Sequence, residues 1–151
     1  MLNKYLHYLQ EKYAYNEEDL ESHDAVSAII YDNQKRILML DHTKFNFWSM
    51  PMGKVKAGQT VEAGLKEELF EELGIKILKY KEIKKFTKTY SRLGKRVRVV
   101  AHMFEIEKYS GKIRNKEPHK HRQIKFMTLK EIKRQRALSD NAKLMIKILE
   151  K

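Results

Sequence analysis

The amino-acid sequence contains no cysteine among its 151 residues. Disulfide bonds, thiolate metal ligands and a cysteine nucleophile are therefore excluded, and this composition is typical of proteins in a reducing cytoplasm. No apolar run approaches the roughly 20 residues that a membrane-spanning helix needs. Residues 1–15 also lack the apolar core of a signal peptide. We therefore expect a soluble, cytoplasmic protein that does not bind a membrane.

Proline and glycine are scarce, at two and six residues, and no Pro/Gly-rich linker, internal repeat or low-complexity tract divides the chain. Hydrophobic residues make up 42% of the sequence, which is enough for one ordinary domain with its own core. We predict a single domain over residues 1–151. Within it, residues 1–22 are predicted to form an N-terminal helix or arm, because Tyr5, Leu9 and Tyr13 recur at roughly helical spacing.

The net charge of +12 is unevenly distributed. Residues 76–136 contain 21 Lys/Arg and five Asp/Glu, whereas residues 1–52 contain five and eight. A positive field of this kind favours anionic partners, so a nucleotide is expected and RNA is possible through the basic 76–136 surface. A lysine-rich solvated surface without a specific partner explains the same charge equally well.

Strand-like and helix-like segments alternate along the chain. The β-rich runs 25–32 and 36–41 surround a turn and predict a hairpin, and three further strands are predicted at 75–90, 95–108 and 124–129. Helices are predicted where an apolar periodic segment follows a residue that can cap it. These capping residues are Thr60, Thr128 and either Ser139 or Asp140. The order predicts an α/β domain with a mixed sheet.

The second half of the helix predicted over residues 60–73 carries four glutamates, which are Glu67, Glu68, Glu71 and Glu72. Glu68, Glu71 and Glu72 are three and four positions apart, so they converge on one face, where like charges repel. A divalent cation with oxygen ligands would offset that repulsion. A glutamate-rich helix is more often simply a solvated face, so the residues around it must decide between the two interpretations.

The segment 53–75 resembles the 23-residue signature of the Nudix hydrolases. The residues that match the signature, at its spacing throughout, are Gly53, Glu68, Leu69, Glu71, Glu72, Gly74 and Ile75. The preceding WSMPMG resembles the Trp-x-x-Pro-Gly-Gly segment of the family, with Met52 in place of its first glycine. The resemblance implies a Nudix-type α/β/α sandwich with a mixed β-sheet.

The same resemblance implies a MutT-like nucleotide pyrophosphohydrolase, which hydrolyses a nucleoside diphosphate linked to another moiety. The implied cofactor is Mg²⁺, or Mn²⁺ in its place, which neutralises phosphate charge, orients the substrate and acidifies a bound water. By this resemblance Glu68 and Glu72 are the primary metal ligands and Glu71 is a ligand or a proton acceptor. The backbone carbonyl of Gly53 is a further expected ligand.

Two positions depart from the signature. The family's first glutamate is replaced by Gln59, and its arginine is replaced by Glu67. In the family these two positions help to orient the metal-binding carboxylates, and a carboxylate at 67 adds repulsion beside Glu68. Lys54, Lys56 or Lys66, all nearby in the sequence, is expected to compensate. The alternative is an enzyme that has been weakened or retired from catalysis.

Glu117 is the candidate for the general base. It lies in NKEPHK (115–120), which resembles an Asn-x-Glu-Pro-x-Lys segment of several Nudix proteins that act on nucleoside triphosphates. A basic loop that merely contains proline accounts for the same residues. His119 and His121 are expected on the surface of this loop.

Aromatic side chains near the signature offer stacking surfaces for a nucleobase. The candidates are Phe45, Phe47, Trp48 and Tyr90, although Trp48 is also expected to pack beside the signature segment. Tyr90 lies at a distance typical of the family's dinucleoside polyphosphate hydrolases.

Cationic side chains are the candidates for phosphate contacts. Lys54 adjoins Gly53, although a solvated loop lysine is an equally good interpretation. Arg96 and Arg98 share one face of the strand 95–108 and could bind phosphates bidentately if that face is concave.

Three functions remain open from the sequence. The first is an Mg²⁺-dependent hydrolase of a nucleoside triphosphate or dinucleoside polyphosphate. The second is a pyrophosphohydrolase of RNA 5′ ends that uses the basic 76–136 surface. The third is a catalytically weakened nucleotide- or RNA-binding protein. The sequence leaves the oligomeric state open.

Overall fold

A computed structural model describes residues 20–92 and 95–151 of the chain. Most of the predicted N-terminal helix or arm (1–22) lies outside these residues, and its last residues begin the first strand. The strands are β1 (Leu20–Ile30), β2 (Ile37–His42), β3 (Phe47–Ser49), β4 (Met52–Lys54), β5 (Lys76–Arg92), β6 (Lys95–Ser110) and β7 (His121–Met127). The helices are α1 (Val61–Leu73), α2 (Leu129–Lys133) and α3 (Asp140–Leu149).

The strands form two sheets. The larger has the order β4–β1–β6–β5, with β1 parallel to β6 and the other pairs antiparallel. The smaller has the order β3–β2–β7 and is antiparallel. The prediction of an α/β fold with a mixed sheet is therefore confirmed.

The predicted hairpin between the runs 25–32 and 36–41 is wrong. Only one bridge, Tyr31 to Ile37, joins the two runs, and β1 and β2 then continue into different sheets. The Asp32 carboxylate closes the turn by accepting from the backbone N–H groups of Gln34 and Arg36. Both runs are buried on both faces, so each takes a central position in its own sheet instead of pairing with the other.

Helices cover opposite faces of the sheets. Leu65, Leu69 and Leu73 of α1 pack in one apolar cluster with β1, β2 and β6, while α2 and α3 pack in a second cluster on the other side. The four-residue spacing of these leucines produces the buried stripe of α1 that the sequence predicts. The layers form an α/β/α sandwich.

The predicted helix ends are confirmed. The Thr60 hydroxyl accepts from the Ala63 N–H at 3.1 Å, and Gly74 ends α1 in the left-handed conformation, with φ of 75°. Thr128 forms a capping box with Glu131, and Ser139, rather than Asp140, caps α3.

No helix among the described residues is long and apolar enough to cross a membrane.

We expect Leu69→Ala to lower the free energy of unfolding by about 2–5 kcal/mol, because it leaves a cavity under α1. Leu69 is 1% exposed. The control is Leu78→Ala, at a leucine that is 48% exposed, with an expected change within about 1 kcal/mol. Urea denaturation measures both variants, and equal losses would contradict the assigned burial of the leucine stripe.

Candidate active site

A cavity of about 590 Å³ opens beside α1. Its wall combines carboxylates of α1, the backbone of β4, aromatic side chains of the segment after β2, and cationic or histidine side chains. The residues that line it include Glu68, Glu72, Gly53, Lys54, His42, Phe45, Phe47, Tyr90, Lys120 and His121.

The loop between β6 and β7 is attached to the C-terminal end of α1. The backbone N–H of Arg114 donates to the Leu73 carbonyl at 3.1 Å, and that of Lys116 donates to the Glu72 carbonyl at 3.0 Å. The last carbonyls of a helix have no partners within the helix, so these bonds satisfy groups that would otherwise need water. The attachment brings the loop against the acidic face of α1.

Asn115 shapes this loop. Its side-chain N–H donates to the His121 carbonyl at 2.8 Å, and its side-chain oxygen accepts from the Glu117 N–H at 3.2 Å. The Glu117 carbonyl in turn accepts from the N–H groups of Lys120 and His121. This single helical turn places Glu117 and His121 on the same side of the loop.

Glu72, Glu117 and His121 therefore meet, each offering one ligand atom within 4.8 Å of the others. Oε2 of Glu72 is 3.5 Å from Nε2 of His121, and both side chains are almost fully buried, at 3% and 1% exposed. Within the described residues, Oε1 of Glu72 and Nδ1 of His121 are buried without a hydrogen-bond partner. Buried polar atoms without partners are costly, so this donor set fits a bound cation.

Burial dominates the electrostatics of the carboxylates. It raises the pKa of Glu72 well above its ordinary value, and the negative charges of Glu68 and Glu117 raise it further. Burial also raises the pKa of Glu68 to about 7, with Glu71 as the next cause. A bound cation would offset the effects of burial and of the neighbouring negative charges, because it stabilises the ionised carboxylates.

His121 is buried, contrary to the prediction of a surface position, whereas His119 is exposed. Burial lowers the pKa of His121, which favours the neutral imidazole with a free lone pair. The sequence signal that could have found His121 is its position four residues after Glu117, because one turn brings such residues together.

Gly53 lies directly against the Glu68 carboxyl group. A Cβ at position 53 would overlap the carboxyl carbon of Glu68 and lie 2.5 Å from its Oε2. A larger residue at position 53 would therefore displace the Glu68 carboxyl group from its observed position.

The residues that depart from the signature form a hydrogen-bonded group. Nε2 of Gln59 donates to Oε2 of Glu67 at 2.8 Å, and the Lys56 ammonium pairs with Oε1 of the same carboxylate. Oε1 of Gln59 accepts from the Lys56 N–H at 3.1 Å. Lys56 therefore supplies the positive charge that the family signature has as an arginine at position 67.

The structure distributes the other predicted site residues unequally. Lys54, Phe47 and Tyr90 line the cavity, whereas Glu71 is exposed on α1 outside the cavity wall. Trp48 is half-buried and packs with the cluster under α3, and its backbone N–H donates to the Ala137 carbonyl.

Arg96 and Arg98 are exposed, and the structure does not bring them into the cavity. Side chains alternate along β6, so the same strand turns Val99 and Ala101 toward the cavity and the arginines toward the opposite face.

His42 is a cavity residue that the sequence did not suggest, because it ends an apolar run that predicts only a strand. Its ring packs edge-on against Phe47 and His121, with centroids 5.3 and 4.8 Å away. Burial lowers its pKa from 6.5 to about 4, and electrostatic interaction with His121 and Lys120 adds to the shift.

A family model for the NUDIX domain matches residues 21–148. A curated relative, the 8-oxo-dGTP diphosphatase of Buchnera aphidicola subsp. Schizaphis graminum (strain Sg), is 30% identical over 107 residues, which cover 70% of this chain and 78% of the relative. The MutT NUDIX hydrolase of Burkholderia pseudomallei is similar in structure, with a TM-score of 0.70, 21% identity and coverage of 84% of this chain and 97% of that one. The MutT protein of Bacillus halodurans is similar too, with a TM-score of 0.70, 21% identity and coverage of 85% and 83%.

We expect Gly53→Ala to lower catalytic turnover by about tenfold or more, since the added methyl displaces the Glu68 carboxylate and ligand misplacement typically costs 10–100-fold. The control is Gly58→Ala. A Cβ at 58 meets nothing within 4 Å, although its φ of +80° makes the variant less stable. Turnover and urea denaturation are measured for both, and a greater loss of turnover in Gly58→Ala would contradict the assigned role of Gly53.

We expect His42→Phe to make the protein less sensitive to acid. As pH falls from 6.5 to about 4, the unfolded chain protonates His42 while the folded protein does not, so stability present above pH 6.5 is lost. The variant keeps a ring but has no titrating group. Urea denaturation at several pH values gives the free energy of unfolding of the variant and of the wild type. The contributions of the glutamates, which both proteins contain, cancel in the difference. Parallel stability curves would contradict the assigned pKa.

Proposed function

This chain belongs to the Nudix hydrolase family, and from that premise we propose that it is an Mg²⁺- or Mn²⁺-dependent pyrophosphohydrolase of nucleoside triphosphates. As a MutT-like Nudix hydrolase it acts on nucleoside diphosphate derivatives. We propose the triphosphate class because the relative from Buchnera is named for a triphosphate substrate. We further propose one domain over residues 1–151 and a cytoplasmic location.

The meeting of Glu72, Glu117 and His121, with the unpartnered Oε1 of Glu72, is the observation that carries the proposal. Glu72 and Glu68 would hold the cation, with the Gly53 carbonyl beside them and Glu71 contributing from the helix surface. When bound, the cation neutralises phosphate charge and lowers the pKa of a water.

The protein's own groups then divide the remaining work. Glu117 is proposed as the general base. It takes a proton from the attacking water as the new P–O bond forms and the anhydride P–O bond breaks, giving a nucleoside monophosphate and pyrophosphate. The Lys120 ammonium lies 3.1 Å from the Glu117 carboxylate and lines the cavity, where it would attract phosphate. Lys54 is proposed for a second phosphate contact.

The base would enter between aromatic side chains of the cavity. Phe45 and Phe47 contact each other, with ring centroids 5.0 Å apart, and Tyr90 lines the same space. These faces suit a flat purine or pyrimidine without fixing which one. Trp48 instead supports the wall from behind, because it packs under α3.

A weakened binding protein is less well supported, since Lys56 supplies the charge that Glu67 requires. Processing of RNA 5′ ends is also less well supported, since Arg96 and Arg98 lie outside the cavity wall.

We expect Glu72→Gln to lower release of phosphate or pyrophosphate by about 100-fold or more, because it removes a charged ligand at the centre of the site. The matched control is Glu62→Gln, at an exposed glutamate in the first turn of the same helix. The assay covers nucleoside triphosphates, dinucleoside polyphosphates and 5′-triphosphorylated RNA, each with Mg²⁺ and with Mn²⁺.

Wild-type release no greater than that of Glu72→Gln on every substrate would overturn the enzyme proposal. Turnover confined to RNA, with affinity that falls steeply as salt rises, would favour the RNA function instead.

A further inference from the structure

His121 presents a nitrogen atom to the acidic centre of the site. Its Nε2 is 3.5 Å from Oε2 of Glu72, which is longer than a good hydrogen bond between nitrogen and oxygen. Two ligands of one ion with bonds of about 2.1 Å lie about 3.0–3.4 Å apart in octahedral or tetrahedral geometry. The observed separation of 3.5 Å is longer than a good hydrogen bond and about 0.1 Å beyond the upper end of that range, so a slight approach of the two atoms would let both bind one cation.

The surroundings hold the imidazole in this position. The His121 carbonyl accepts from Asn115, and its ring packs edge-on against the His42 ring. The side chain is 1% exposed, so it has no solvent-facing alternative without opening the loop. The buried atoms without a hydrogen-bond partner are Oε1 of Glu72 and Nδ1 of His121, so the described residues satisfy neither side chain fully. A fixed, buried imidazole beside such a carboxylate is a preorganised ligand pair.

We propose that His121 is a direct nitrogen ligand of the catalytic cation, and that this site consequently binds Mn²⁺ and Co²⁺ more tightly than Mg²⁺. The inference rests on the metal site of the proposed function and adds to it a nitrogen donor and a metal preference. Mg²⁺ favours oxygen ligands, whereas imidazole suits the later divalent metals. Glu72 and Glu68, the carboxylates proposed to hold the cation, supply the oxygen donors, so the mixed set suits Mn²⁺ and Co²⁺.

The test uses the full-length protein with Mn²⁺ alone, without nucleotide. Pulsed electron paramagnetic resonance of the bound Mn²⁺ detects the ¹⁴N coupling of a coordinated imidazole. We expect this coupling in the wild type and in His119→Asn, which changes an exposed histidine two residues away, and we expect its loss in His121→Asn. Calorimetric titration should show Mn²⁺ affinity falling about tenfold or more in His121→Asn, with a smaller change for Mg²⁺.

Absence of ¹⁴N coupling in the wild type, or its persistence in His121→Asn, would overturn the inference whether or not the variant is fully stable. Failure of Mn²⁺ to bind the wild type would overturn it as well. The hydrolysis assay separates the two proposals. Hydrolysis without nitrogen coupling would support the proposed function and contradict the His121 ligand. Nitrogen coupling without hydrolysis would support the His121 ligand and contradict the proposed function.

Discussion

The attachment of the β6–β7 loop to the last turn of α1 is the interaction on which the site depends. Two backbone hydrogen bonds, from Arg114 and Lys116, satisfy helix carbonyls that have no partners within the helix. The carbonyl that accepts from the Lys116 N–H belongs to Glu72 itself, so this bond also holds the loop close to the buried carboxylate. Without these two hydrogen bonds, the loop would not be held against α1 with Glu117 and His121 facing the helix.

Packing and electrostatics oppose each other along α1. The leucine stripe anchors the helix against both sheets and thereby forces Glu72 into a buried position, where its ionised form is disfavoured. The close approach of Gly53 confines Glu68 in the same way. Burying these carboxylates costs free energy in one small region of the fold. Such local costs are typical of sites that bind a charged ligand.

The sequence predicted the elements whose causes are local. Helix α1 follows from the leucine spacing, the Thr60 cap and the Gly74 stop, all within one segment. The partners of β1 and β2 were predicted wrongly, because burial on both faces is a tertiary property that adjacent runs do not reveal. His121 was missed for a related reason, because its burial comes from the turn that Asn115 organises and from contact with α1. The family resemblance predicted Glu68 and Glu72 as metal ligands, and both line the cavity. No local pattern showed which face of β6 the cavity would occupy.

The alternation of side chains along β6 separates two kinds of charge. Arg96 and Arg98 point away from the cavity, while Lys54, Lys88 and Lys120 line it. Arginines on the far face act on an approaching anion only through the long-range field, which physiological salt screens over about 8 Å. These arginines therefore affect the association rate of the anion, and their effect decreases as ionic strength rises. The cavity lysines instead affect the dissociation rate of the bound anion.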